Sequence, residues 1–168
     1  KGRAEAALAF NGESTRIELP WNINPDVHPQ LTVTAWARFT GEVASENQAQ
    51  LVSHDNGSYD RGMGMDARAG QWGWSAFAGT DQVIGGAPVR QNEWTFLAVS
   101  YDQATKTTKL WVGDAEFTAQ TSEMGEGHEF LWIGGNPSYG EHFVGNIAHV
   151  KIFDKVLTPE ELRAVREE

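Results

Sequence analysis

The 168-residue sequence contains no cysteine. Disulfides, thiolate metal sites and cysteine nucleophiles are therefore excluded. Positive charge is scarce: 13 Lys and Arg stand against 23 Asp and Glu, a formal net charge of −10. A field of that sign repels phosphate backbones, and no local basic patch interrupts it. Nucleic acid, anionic membranes and sulfated polysaccharides are accordingly poor partners. No apolar run approaches the ~20 residues that a bilayer-spanning helix needs, so no membrane insertion is expected. Internal repeats and low-complexity linkers are missing, and long helix-period stretches are few.

What the chain does have is glycine, 18 residues, and aromatics, 11% of the total. Short alternating apolar segments follow one another, separated by turn signals. "AALAF" ends at Asn11-Gly12, "TRIEL" stops at Pro20, and "LTVTAWARF" sets Leu31, Val33, Ala35, Ala37 and Phe39 on one face. Trp36 falls on the other face. After a polar stretch from Gly41 to Gln50, "RGMGMDA" and "QWGWSAFAG" form a hairpin turned at Arg68-Ala69-Gly70. "EWTFLAVSYD" is apolar on both faces, which predicts a central strand covered on both sides. "TTKLWVGDAEFTAQ", "EFLWIGG" and "FVGNIAHVKIFD" supply further strands. One short helix is expected at the end, capped by Thr158, with Pro159 in its first turn and Glu161 completing a capping box. Roughly a dozen strands need two packed layers, so the expected fold is an all-β, two-sheet antiparallel sandwich in a single domain over residues 1–168. Trp72 and Trp74 share one strand face; they either fill the interior or form a stacking platform, with Gly62 and Gly64 leaving room beside it.

The ordered series "LAFNGESTRIELP", "LTVTAWARF", "EWTFLAVSYDQATKTTKLWVGD", "LWIGG" and "FVGNIAHVKIFDKVLTPEEL" resembles the laminin-G-like domain of the concanavalin A-like lectin/glucanase superfamily, from about Leu8 to Leu162. The resemblance implies a jelly-roll sandwich with loops at its rim. It also implies an inter-sheet core that includes Met63, Met65, Leu97, Val99, Leu110, Val112, Ile147 and Val150, with Trp36 packing between strand and loop. The same fold hosts lectins, adhesion modules, hydrolases and lyases, so it does not name a function. Relatives hold a structural calcium near the first strand, here Asn11-Gly12. The carboxylate expected in the penultimate strand is replaced, since the sequence there reads Ile147-Ala148-His149-Val150. Any structural Ca²⁺ at Asn11 is thus a weakened site.

The glycosidase branch needs two carboxylates about 5–5.5 Å apart on one strand face. No such pattern occurs: Glu42, Glu46, Glu126, Glu129, Glu160, Glu161, Glu167 and Glu168 read as solvated. The lyase set is incomplete, because Arg61, His54 and Tyr59 cluster without a matching strand. No Gly-x-Ser-x-Gly elbow exists, and His28, His54, His128, His142 and His149 show no metal-ligand spacing. A sugar site needs an aromatic face and planar polar groups. Two loops combine them: Ser53 to Arg61, with His54, Asp55, Asn56, Tyr59, Asp60 and Arg61, and Asn136 to His142, with Asn136 and Tyr139. Trp72 and the exposed-aromatic candidate Trp21 complete the set; ordinary turn chemistry explains the same loop residues equally well.

The expected function is a non-catalytic, lectin-like module that binds a polysaccharide or glycan through rim loops. An adhesion or spacer domain for protein partners is the alternative, and an unusual hydrolase or lyase comes third. The chain opens Lys1-Gly2-Arg3. We expect a mature or excised domain of a larger secreted bacterial protein, extracellular, cell-surface or periplasmic, with other domains of the parent chain beside it.

Overall fold

The computed structural model describes residues 6–43, 48–79, 82–121 and 124–168; Glu46, read above as a solvated acid, lies outside them, as do residues 1–3. Twelve strands and one helix follow in order: β1 (Leu8–Asn11), β2 (Ile17–Leu19), β3 (Gln30–Phe39), β4 (Ala49–Ser53), β5 (Gly62–Asp66), β6 (Gly73–Phe77), β7 (Val83–Ala87), β8 (Trp94–Asp102), β9 (Thr107–Val112), β10 (Ala115–Gln120), β11 (Leu131–Ile133), β12 (Val144–Phe153) and α1 (Pro159–Glu167). They form two six-stranded antiparallel sheets, ordered β1-β12-β3-β8-β9-β10 and β2-β11-β4-β5-β6-β7. This is the expected jelly-roll sandwich. The strand β7 was not foreseen, because Gly85 and Gly86 interrupt its apolar pattern.

The alternation in β3 does what its period dictates. Leu31, Val33, Ala35, Ala37 and Phe39 all enter the space between the sheets. Opposite them stand Met63, Met65, Trp74 and Ala76, with Leu97, Val99, Leu110 and Ile147 from the first sheet. Val112 and Val150 are half-buried at the margin of the same core. The other face of β3 is polar in sequence yet buried. Thr32 Oγ1 donates to Lys155 O at 2.7 Å and accepts from Leu157 N at 3.1 Å, which fastens the segment leading into α1. Leu157 and Leu162 then close over Phe96 and Ala98, with Trp36 and Trp111 at the edge. Strand β8 is thus covered on both faces, as its sequence requires. Trp36 packs against Phe96, 5.5 Å between ring centroids, on the helix side of the sheet. The helix begins with the complete capping box of Thr158 and Glu161.

The two indoles are interior. Trp74 is fully buried between the sheets, and Trp72, partly buried, packs edge-on against Phe39 at 5.9 Å. The glycines beside them leave no room for a ligand. A Cβ on Gly64 would stand 2.1 Å from the Ala49 carbonyl, where a bulge brings β4 close. One on Gly62 would meet the Phe77 ring at 3.0 Å. The platform reading of Gly62 and Gly64 therefore gives way to close approach, of the Phe77 ring at Gly62 and of the β4 backbone at Gly64.

The sheets are also joined by Tyr101, on β8, which is buried and reaches across the core. Its hydroxyl accepts from Gly62 N at 2.9 Å and lies 3.0 Å from Gly62 O and 3.1 Å from Phe77 O, to either of which it can donate. Burial raises the Tyr101 pKa, so the phenol stays protonated. Tyr101→Phe leaves the Gly62 N–H without its partner and should cost about 1–3 kcal/mol, read as a lower midpoint in urea with an unchanged m-value.

Candidate functional site

The loop between β4 and β5 is shaped by its own acids. Asp55 Oδ1 accepts from Gly57 N at 2.9 Å and Ser58 N at 3.1 Å. Asp60 Oδ2 accepts from Asn56 N at 3.0 Å. The Asp55 bonds make an Asx-type turn, which short acidic side chains favour, and Asp60 closes the loop back onto Asn56. Tyr59 sits at φ 58°, the left-handed region, and this turns its ring back onto Phe77 at 5.4 Å. His54 accepts from Arg61 N through Nε2 at 3.1 Å. Nδ1 therefore carries the proton and donates to His128 O at 3.2 Å. Burial lowers the His54 pKa to about 4, with the backbone contact to His128 opposing it. The Arg61 guanidinium is buried too; its Nη1 donates to Ile23 O and His28 O, each at 2.7 Å. Desolvation lowers its pKa to about 10, which leaves it charged at neutral pH.

The loop between β11 and β12 meets this one directly. Asn136 Nδ2 donates to Asp55 Oδ2 at 2.8 Å and to Glu141 Oε2 at 2.9 Å, while Ser138 Oγ donates to Asp55 O at 2.9 Å. Gln50 Nε2 adds a bond to Glu141 Oε2 at 3.3 Å. Burial raises the Glu141 pKa, against the lowering effect of Asn136 and Arg68; burial also raises that of Asp60. Two further segments join the rim. Asn24 and Gly127 exchange hydrogen bonds at 2.7 and 3.2 Å, and Asn56 Nδ2 donates to Glu126 O at 2.8 Å.

The nine residues nominated from sequence divide by exposure. His54, Asp55, Asp60, Arg61 and Asn136 are buried and hold the loops together. Asn56 is exposed, Tyr59 half-buried, and Tyr139 is 62% exposed at the tip of its loop. Trp72 is not brought to this cluster. It precedes Gly73, which pairs with Asp66, whereas the loop adjoins Gly62 at the other end of β5. Four residues of strand separate those ends, about 13 Å. Trp21 is exposed and donates through Nε1 to His28 Nε2 at 3.2 Å; Arg61 ties this segment to the rim through the His28 carbonyl.

Sequence reading missed Arg68, Glu141, Trp132 and His142. Arg68 makes a two-pronged contact with Asp66, Nη2 to Oδ2 being 2.5 Å, lies 3.6 Å from Glu141, and covers the Tyr59 ring at 4.5 Å. The Asp66 hydrogen bonds raise its pKa. Trp132 donates through Nε1 to Glu18 at 3.0 Å, lies under Arg16 at 4.2 Å and stacks beside His142 at 6.2 Å. No spacing announces the contacts of Arg68 with Glu141 or of Trp132 with Arg16 and Glu18, since these join segments far apart in the chain.

These positions constrain the chemistry. Asp66 and Glu141 are both engaged by the Arg68 guanidinium, at 2.5 and 3.6 Å, so neither is a free carboxylate of the kind a glycosidase uses. Asp55 and Asp60 are buried and bonded to backbone N–H groups. No group of three or more His, Asp or Glu among the described residues could hold a metal ion. Asn11 Oδ1 accepts from Glu13, Ser14 and Thr15 N–H at 2.9–3.0 Å, so its lone pairs serve the turn and do not fit a calcium ligand.

The family model of the concanavalin A-like lectin/glucanases superfamily matches residues 11–163. The chain belongs to this superfamily. No curated protein gives a sequence match. Among solved structures of similar fold, domain 4 of AbnA, a GH43 extracellular arabinanase from Geobacillus stearothermophilus in complex with arabinotriose, aligns at TM-score 0.66 and 18% identity, covering 98% of this chain and 78% of that one. The CBM40 of the Ruminococcus gnavus IT-sialidase, bound to α2,3-sialyllactose, gives 0.61 and 20%, covering 96% of both chains. The botulinum neurotoxin serotype D binding domain gives 0.69 and 15%, covering 96% of this chain but only 42% of that one. At these identities the likeness to these structures is one of fold. Among the described residues no helix is long and apolar enough to cross a membrane.

Two outcomes follow from the geometry. His54 takes up a proton near pH 4 when folded but near 6.5 when unfolded. Its contribution is complete above pH 6.5 and falls as pH drops towards 4, by about 3 kcal/mol over that window; the raised Asp60 and Glu141 act in the opposite direction. The His54 ring resonances should therefore not titrate between pH 8 and 5.5 in an NMR series. For Asn11, addition of millimolar Ca²⁺ should leave the melting temperature unchanged, and a saturable rise would restore the metal site.

Proposed function

We propose that the chain is a non-catalytic carbohydrate-binding module that takes a glycan at the rim where the two aromatic loops meet. The observation that carries this reading is the direct Asp55–Asn136 bond, which places Tyr139 and Asn56 on one rigid surface. A Cβ on Gly57, next to Asn56, would lie 3.2 Å from the Tyr139 hydroxyl, so glycine is what lets the two tips touch. Tyr139 offers a flat apolar face to the C–H side of a sugar ring, and the Asn56 amide offers a donor and an acceptor to its hydroxyls. The half-buried Tyr59, held under Arg68, borders the same loop. Because buried groups fix the surface beforehand, little entropy is lost when a ligand settles on it.

Among the described residues the acids near the rim are buried or bonded, which favours binding over hydrolysis in this reading. Two of the similar structures are complexes with oligosaccharides, arabinotriose and sialyllactose, which is the ligand class proposed here. The module would serve a larger extracellular protein by holding it to its polysaccharide.

The test is retention on a glycan array and in affinity gels. Tyr139→Ala and Asn56→Ala should each weaken retention by about tenfold, a loss of roughly 1.4 kcal/mol; the melting temperature should stay unchanged in Tyr139→Ala, whose side chain is exposed, and fall slightly in Asn56→Ala, which also loses the bond to Glu126 O. Retention on no glycan, or retention indifferent to both substitutions, would sink the proposal and favour an adhesion or spacer role.

A further inference from the structure

A second concavity lies on the other sheet, between α1 and the β9–β10 hairpin. It encloses about 310 Å³ and is lined by Phe96, Trp111, Glu116, Leu162, Arg163 and Arg166, among others. That volume is at the small end of ligand sites. Its origin is in the sequence: Pro159, Leu162, Arg163 and Arg166 recur at helical spacing and so share one face of α1. Trp111 and Glu116 are direct cross-strand partners on the hairpin.

The slot is built of fixed parts. Trp111 is half-buried and donates through Nε1 to Glu116 Oε2 at 3.0 Å. Glu116 Oε1 accepts from Lys109 at 3.2 Å and Thr118 at 3.4 Å, so the carboxylate is held from both sides. The Lys109 bond keeps its pKa below the usual carboxylate value. One end of the slot is closed by Arg166 Nη1 on Asp114 Oδ1 at 2.6 Å. Arg163, across from the hairpin, has no hydrogen-bond or ion-pair partner among the described residues. An indole face is thus flanked by a carboxylate with spare lone pairs and a guanidinium with five unused N–H groups.

We infer that this slot is a second ligand site, for one ring of a neutral saccharide stacked on Trp111 with its hydroxyls shared between Glu116 and Arg163. Each hydroxyl both donates and accepts, which suits a carboxylate facing a guanidinium. A small anion is a poorer occupant. Asp114 and Glu116 balance Arg166 and Lys109, and Glu160 and Glu167 stand one turn either side of Arg163 on α1. The site is separate from the rim loops and does not need them; only the ligand class is shared with the function proposed above. If both sites are real, the module grips a polysaccharide at two places.

The experiment is an NMR titration of the folded chain with arabinotriose, cellotriose and lactose, and separately with inorganic phosphate, following the Trp111 indole N–H and the Asn56 and Tyr139 amides. Saturable movement of the Trp111 signal with at least one saccharide, weakened about tenfold or more in Arg163→Ala, is expected. The melting temperature of that variant should not change, because Arg163 is exposed and unpartnered. Movement at Asn56 and Tyr139 alone would overturn the second site and leave the rim proposal standing. Movement at Trp111 alone would do the reverse. Shifts around the slot with phosphate but no saccharide would make it an anion patch and overturn the inference, as would saccharide binding indifferent to Arg163→Ala. No movement anywhere would remove both.

Discussion

A single buried amide governs the rim where the two loops meet. The Asn136 side chain has two N–H groups and spends one on each of two carboxylates, Asp55 and Glu141. Neither acid would be stable in so dry a place without charge-assisted bonds. Asp55 in turn collects the N–H groups of Gly57 and Ser58, and Glu141 collects Gln50. Loop shape, loop position and the exposure of Tyr139 all descend from that arrangement. Loss of one partner would strand another buried group, which costs more than the bond itself is worth.

The outer face of the second sheet is largely covered by its own side chains. Gln50, Ser53, Asp66 and Ser75 are buried there. Arg68 and Tyr59 lie over Phe77, and Glu141 covers Gln50. These side chains cover the strands they lie on. The first sheet is roofed differently, by a helix whose apolar side chains close over Phe96 and Ala98. The sandwich consequently presents edges and a helix groove to solvent, and its strand faces are spent on stability.

Much of this was legible in the sequence. The period-two pattern of β3, the doubly apolar β8 and the capping box at Thr158 each name a local cause that the fold obeys. The two loops carrying tyrosine, amide and acid were likewise visible. Their meeting was not, because an Asx turn looks the same whether its second oxygen faces water or Asn136. The nominated polar residues include more struts than contacts for the same reason: composition shows that a loop is polar, and only the fold shows which polar atoms point inward. Trp132 and Arg68 were illegible since their partners, Glu18 and Glu141, are distant in the chain. The Gly62 and Gly64 positions misled, as a missing side chain can mean either open space or a neighbour's backbone. The Trp74 indole illustrates the converse cost: it fills the core although its Nε1 finds no partner.

Arg61 deserves a last consequence. Its one guanidinium holds the carbonyls of Ile23 and His28, while its own N–H is bound by His54, which holds His128. Three stretches of chain are therefore knotted through adjacent buried atoms, and none can slacken alone. Amide protons along all three should exchange with solvent in a single concerted opening, so the rim behaves as one cooperative unit that is either wholly formed or wholly undone.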